Sequence, residues 1–278
     1  MSTQQSPPFY RRQFGRRLRD LRESVRMAPG EVCARLEISP ARLSRLENGQ
    51  TAPDMLVVKA LLDLYGIPVN DWEPYLEEAR DARKKAWWQS YGLSANGYTA
   101  LETAANSVSE FALAYLPGLL QTEAYARAAL FEDLRRRTPI QLDNQIAVRL
   151  RRQQRLLDPE NFSLSVVIDE TALLRPVVPT DLMHEQLTHL LEVAEWPNVE
   201  LQVLPVAGGA HVGMNGAFVV LGFPDVSEGD IAYVEHVAGA LQLEREEQVR
   251  ACKLSYDRLR TKALDPAESA EMIRRLLS

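Results

Sequence analysis

The sequence predicts a mainly α protein with a small sheet: an N-terminal five-helix helix-turn-helix domain followed by a larger C-terminal α+β domain. Three observations predict it. Apolar residues recur at helical spacing through the first 70 residues, with caps and breakers marking each helix. Beyond residue 96 the helical stripes alternate with short β-rich runs. A chain of 278 residues with 46% apolar and 25% charged residues has enough core material for one small and one larger domain.

The elements follow in order. Residues 1–8 read as a disordered tail, and Phe14, Leu18, Leu21 and Val25 form the stripe of a first helix, Phe9–Val25. Pro29 suits the first turn of a second helix, Pro29–Leu36. After three residues, Ser39 and Pro40 start a third, which stops at Asn48-Gly49. Asp54 caps a fourth, Met55–Tyr65, halted by Gly66 and Pro68. Residues 9–70 make up this domain, and a fifth helix from Asp71 through Trp87-Trp88 makes 71–95 a helical connector.

The remaining domain, 96–278, is expected to dimerise and sense an effector. Leu101, Ala104, Ala105, Val108, Phe111, Ala112 and Tyr115 read as one helical stripe. Helices are expected at Thr122–Arg136, Pro139–Leu157, Asp181–Glu195, Glu244–Leu264 and Asp265–Leu277. About four strands are expected: Ser163–Ile168, Val199–Leu204, Ala217–Leu221 and Ile231–Glu235. Asn215-Gly216 marks the loop Gly208–Gly216 as a hairpin turn.

Charge is unevenly spread. Residues 1–70 hold eleven basic and seven acidic side chains, net +4, so the rest carries −10 of the chain's −6. A basic head on an acidic body approaches DNA in one orientation. No apolar run nears the ~20 residues that cross a bilayer. Arg11-Arg12 lacks the apolar region that a twin-arginine signal requires. Cys33 and Cys252 lie in different domains with no disulfide or zinc spacing, which fits a reducing cytoplasm and a nucleoid-associated protein.

Two short helices joined by a tight turn place the second where it can enter a major groove. At 100° per residue, Leu43 and Leu46 share the inward side of the third helix, while Ala41, Ser44, Arg45 and Asn48 face outward with Arg42 beside them. Arginine offers guanine O6 and N7 a bidentate contact, and Ser44 or Ala41 can meet a base edge or a thymine methyl. Ala41, Arg42, Ser44 and Arg45 are therefore the candidate base readers, with Arg45 first.

Leu43-Ser44-Arg45-Leu46-Glu47-Asn48-Gly49, with Leu18-Arg19-x-Leu21-Arg22 before it, resembles the XRE and phage-repressor helix-turn-helix family over residues 14–66. The resemblance implies base contacts from the first turns of Pro40–Asn48. It implies phosphate contacts from Pro29, Ser39, Asn48, Gln50 and Thr51, and a partly buried ion pair between Arg22 and Glu47. It also implies a homodimer on a near-palindromic operator in double-stranded DNA, its recognition helices about 34 Å apart. Glu37 stands where that family usually has glycine, and Pro29-Gly30 replaces a polar helix start.

A second resemblance begins at Leu116-Pro117-Gly118-Leu119-Leu120-Gln121-Thr122-x-x-Tyr125-Ala126. It continues through Val167-Ile168-Asp169-Glu170-x-Ala172-Leu173, Gln186-Leu187-x-x-Leu190, Val203-Leu204-Pro205 and Gly216-x-Phe218. These are similar to actinobacterial regulators of the WhiJ type, with an antitoxin-like C-terminal domain. The resemblance implies repressor-like transcriptional control tuned by a small acidic partner protein encoded nearby or by a small molecule. The alternative is an antitoxin-like scaffold that regulates its own operon. A less favoured alternative is an enzyme using Asp169 and Glu170, acids that follow a strand. His184, His189, His211 and His236 are scattered, so no metal site or cofactor is expected, and neither is catalysis.

Overall fold

Helix α1 (Pro7–Ser24) opens the first of two units, Met1–Ala104, and buries Phe14 and Leu18. The computed structural model describes residues 7–94, 97–131, 137–224 and 229–277. The first six residues of the expected tail, and the ends of two expected segments at 95–96 and 132–136, lie outside them. α1 stops before Val25, which is 43% exposed rather than part of the buried stripe. Arg26 at φ 55° has already turned the chain away.

Four helices complete the small core: α2 (Pro29–Leu36), α3 (Pro40–Glu47), α4 (Met55–Leu64) and α5 (Glu73–Arg83). Val32, Cys33, Leu43, Leu46, Val58, Leu61, Leu62 and Leu76 pack together with Phe14 and Leu18. α5 lies along α1. It ends at Arg83 instead of running through the tryptophans, because Lys84 turns to extended geometry. Trp87–Tyr91 then form a 3-10 turn with Trp88 fully buried and its indole N–H donating to the Ser94 carbonyl at 2.8 Å. α6 (Tyr98–Ala104) closes the unit.

The second unit, Ala105–Ser278, is built on a six-stranded mixed sheet rather than four strands. Its strands are β1 (Ser107–Ala112), β2 (Ser163–Asp169), β3 (Val199–Leu204), β4 (Phe218–Gly222), β5 (Ile231–His236) and β6 (Gly239–Leu243), in spatial order β3-β2-β1-β4-β5-β6. β1, β2 and β3 run parallel, with Phe111 opposite Val167 and Val166 opposite Leu201. β4 is antiparallel to β1 with Phe218 opposite Phe111, and the hairpins β4-β5 and β5-β6 follow.

Two differences from expectation have clear causes. The stripe from Leu101 to Tyr115 is not one helix: α6 ends at Ala104, and Ser107–Ala112 is the central strand. Strands covered on both faces lose their period-2 alternation; Val108 and Phe111 point to opposite faces and both are buried. The segment Gly208–Gly216 is no hairpin, because the strands it joins, β3 and β4, are separated in the sheet by β2 and β1. It is a crossing connection that passes the carboxyl ends of both, using two short 3-10 turns. β6, absent from the sequence reading, is an exposed edge strand made legible only by the two-residue turn Val237-Ala238.

Helices α7 (Glu123–Phe131), α8 (Pro139–Gln153) and α10 (Thr180–Ala194), with the short α9 (Glu170–Leu174), carry the chain between the parallel strands. α11 (Glu246–Lys262) packs against β1, β3, β4 and β5, and α12 (Pro266–Arg275) against β3. Phe111, Val167, Leu204, Tyr256 and Leu259 form a buried cluster where α11 meets the sheet.

Candidate nucleic-acid interface

α2 and α3 are joined by Glu37, Ile38 and Ser39. Glu37 takes the left-handed conformation, φ 52° and ψ 37°, and caps α2 with its N–H on the Cys33 carbonyl. A non-glycine residue there costs roughly 1–2 kcal/mol, which the burial of flanking Val32, Cys33 and Leu43 offsets. Ser39 then caps α3, its Oγ accepting the Arg42 N–H at 3.2 Å, and Pro40 occupies the first turn.

α3 divides cleanly. Leu43 and Leu46 are buried in the core, whereas Ala41, Arg42, Ser44, Arg45 and Asn48 are exposed. Two glycines set how closely this helix meets α1. A Cβ on Gly15 would come within 2.5 Å of the Leu46 carbonyl oxygen, and one on Gly49 within 2.5 Å of the Arg12 backbone. Gly49 also needs its φ of +65°.

Glu47 anchors the C-terminal half of α3. Arg22 grips it in a buried bidentate pair, Nε to Oε1 at 2.8 Å and Nη2 to Oε2 at 3.1 Å, and donates a third hydrogen bond to the Met27 carbonyl at 3.1 Å. The hydrogen bond to Glu47 raises the Arg22 pKa further above its ordinary value. Arg19, for which sequence pattern alone assigns no role, approaches Glu47 Oε2 at 3.6 Å and hydrogen-bonds Asn48 Oδ1. Beside this pair the Tyr65 hydroxyl is buried without a hydrogen-bond partner among the described residues, and burial, with the Glu47 carboxylate adding to it, raises its pKa.

The predicted site residues differ in their settings. Arg45 projects from α3 with no ion-pair partner among the described residues. Arg42 Nη2 pairs with Asp54 Oδ2 at 2.9 Å, and Asp54 also caps α4 through the Leu56 N–H. Asn48 donates its amide to Ser44 Oγ at 3.2 Å, so these two are tied together. Ser39, Gln50 and Thr51 are exposed at the two ends of α3. Pro29 is exposed at the first turn of α2 but has no N–H to give; the neighbouring Gly30 backbone carries the donor.

The sequence model of a helix-turn-helix domain matches residues 13–73, and that of a domain of unknown function (DUF5753) matches residues 96–275. The chain belongs to the DUF5753 family. No curated protein and no solved structure matches it. The helix-turn-helix domain points to a DNA-binding regulator rather than an enzyme. Among the described residues no helix is long and apolar enough to cross a membrane, and no cluster of His, Cys, Asp or Glu is placed to hold a metal.

Within the DUF5753 region, the Leu116–Ala126 segment folds around buried amides. Gln121 donates to the Leu116 carbonyl at 2.7 Å, and fully buried Gln186 accepts the Thr122 N–H and donates to the Leu120 carbonyl. Gln153 donates to the Gly118 and Gln121 carbonyls, and the Tyr125 hydroxyl receives the Leu116 N–H. Side chains of α8 and α10, with Gln121 itself, therefore satisfy the segment's backbone.

The two acids weighed as catalytic also serve the backbone: Asp169 caps α9 by accepting the Thr171 N–H at 3.0 Å, and Glu170 accepts the Val206 N–H at 2.7 Å. In the DUF5753 sheet the crossing connection adds a partner that sequence distance concealed, His211, whose Nε2 lies 3.2 Å from Asp169 Oδ2 with both side chains buried.

Proposed function

We propose that this chain is a sequence-specific, repressor-like transcriptional regulator of the WhiJ type. It works in the cytoplasm as a homodimer on a near-palindromic operator. The observation that carries the reading is the division of α3: leucines in the core on one side, Ala41, Arg42, Ser44 and Arg45 exposed on the other. In this reading the first turns of α3 enter the major groove, and Arg45, held by no carboxylate among the described residues, reads guanine O6 and N7. Arg42 leaves an exposed pair with Asp54 that is worth at most about 1 kcal/mol, so a phosphate or base can take it over. Ser39, Asn48, Gln50, Thr51 and the backbone beside Pro29 contact phosphates. The DUF5753 unit dimerises and answers to a small ligand or a small acidic protein, shifting DNA affinity by linkage.

The test is salt-dependent binding of the purified protein to DNA from upstream of its own gene, against a scrambled duplex of the same length. The expected result is tighter binding to the upstream fragment at every salt concentration, with affinity falling as salt rises. Equal affinity for both duplexes would remove sequence-specific regulation, and co-purification of a neighbouring gene's product with no operator preference would favour the antitoxin-like scaffold.

A further inference from the structure

We propose that the groove between the crossing connection and α11, which begins at His211 beside the carboxyl ends of β1 and β2, is a binding site for a small amphipathic acid, an apolar body carrying one carboxylate. Four observations converge there. In open α/β sheets ligands bind outside the carboxyl ends of the strands where the strand order reverses. Here β2 and β3 extend from one side of β1 and the antiparallel β4 lies on the other, so the carboxyl end of β1 is where the chain crosses the sheet and reverses its order, an arrangement analogous to such a point.

The crossing connection brings His211 over this point. Its ring packs edge-on against Phe111, with centroids 5.7 Å apart, and Gly213 sits so close to Phe111 that a Cβ there would collide with the ring. The imidazole meets Asp169 through Nε2, and its Nδ1 is buried with no hydrogen-bond partner among the described residues.

His211 also helps to line a groove of about 690 Å³ between the crossing connection and α11, within the range that small ligands fill. Val212, Leu254 and Leu259 supply apolar walls, and Val212 and Leu254 are exposed. Two cations, Arg258 and Lys262, face one acid, Asp257. Lys262 spends one of its donors on the Ala210 carbonyl at 3.0 Å, tying the connection to α11, while Arg258 has no carboxylate partner among the described residues. The charge balance therefore favours an anion and the walls favour an apolar body.

The binding stands by itself; treating the ligand as an effector rests on the regulator reading above. The full chain is titrated with dansyl-aminoundecanoate, a fluorescent medium-chain acid, and in parallel with the uncharged amide of the same probe. Expected are saturable, blue-shifted binding of one acid per chain and at least tenfold weaker binding of the amide. The double variant Arg258→Gln/Lys262→Gln should bind the acid at least tenfold more weakly, and Leu254→Asp should lose it. Thermal melting of each variant distinguishes lost binding from lost folding. Should Leu254→Asp unfold, Leu254→Ser takes its place.

No saturation, equal binding of acid and amide, or affinities within twofold in all folded variants would overturn the site. A separate measurement of binding to the upstream duplex, with and without the probe, separates the two ideas. Probe binding without DNA binding upholds the site and overturns the regulator reading.

Discussion

A Cβ on Gly15 would lie 2.5 Å from the carbonyl oxygen of Leu46. The mid-helix glycine lets α1 approach the backbone of α3 more closely than any side chain permits. Gly15→Ala should therefore destabilise the first unit by about 1–3 kcal/mol despite alanine's better helix propensity. A unit of this size melts roughly 4–8 °C lower per kcal/mol. Gly30→Ala, with nothing within 4 Å of its Cβ, should be neutral or stabilising. Equal melting of the two variants would remove the close-approach argument.

Arg22 and Glu47 form a pair whose value depends on keeping both partners. Arg22→Met should cost about 3–5 kcal/mol by leaving a carboxylate buried alone, and Arg22→Met/Glu47→Leu should recover most of the loss. Denaturant unfolding of the single and double variants reads this directly. A double variant as unstable as the single would mean that the pair contributes more than mutual neutralisation.

Tyr65 gives a pH dependence with a defined sign. Its folded pKa is raised, by burial first and Glu47 second, so the unfolded phenol ionises first, near its ordinary value of about 10. The stability it contributes is complete below that pH and is lost as pH rises toward the folded value. Tyr65→Phe should keep full stability at pH 7, since the hydroxyl has no partner among the described residues, and should show a shallower alkaline loss. Tyr256→Phe, by contrast, gives up a 2.9 Å hydrogen bond to Ser165 and should cost about 1 kcal/mol at pH 7.

Within the proposed DNA complex, Arg45→Ala should relax base preference, losing about 1–3 kcal/mol of discrimination at one position. Arg42→Ala, where the arginine takes a phosphate rather than a base, should weaken binding to every sequence alike and lower the salt slope by about one unit. Competition binding against a randomised duplex pool distinguishes the two patterns, and an unchanged sequence profile for Arg45→Ala would exclude it as reader.

Local chemistry made the first unit legible. Ser39-Pro40 announces the start of α3, and Leu43 and Leu46, three apart, announce its inward face. Interactions between distant segments were not legible in this way. Gly15 reads as a weak spot in a helix until α3 is laid against it. β1 carries apolar residues whose spacing suits a helix, because Val108 and Phe111 are buried on opposite faces of a sheet. Asp169 and His211, 42 positions apart, are joined only by the strand order that sends the chain across the ends of β2 and β1.

That strand order also governs how the chain matures as it is made. β1 finds β2 about 50 positions later, but its other side stays bare until β4 emerges more than 100 positions after it. A nascent chain halted after β3 would present the backbone amides and carbonyls of a central strand as an open template, the configuration that invites intermolecular pairing. Closure of that edge, and with it protection from aggregation, thus waits on β4.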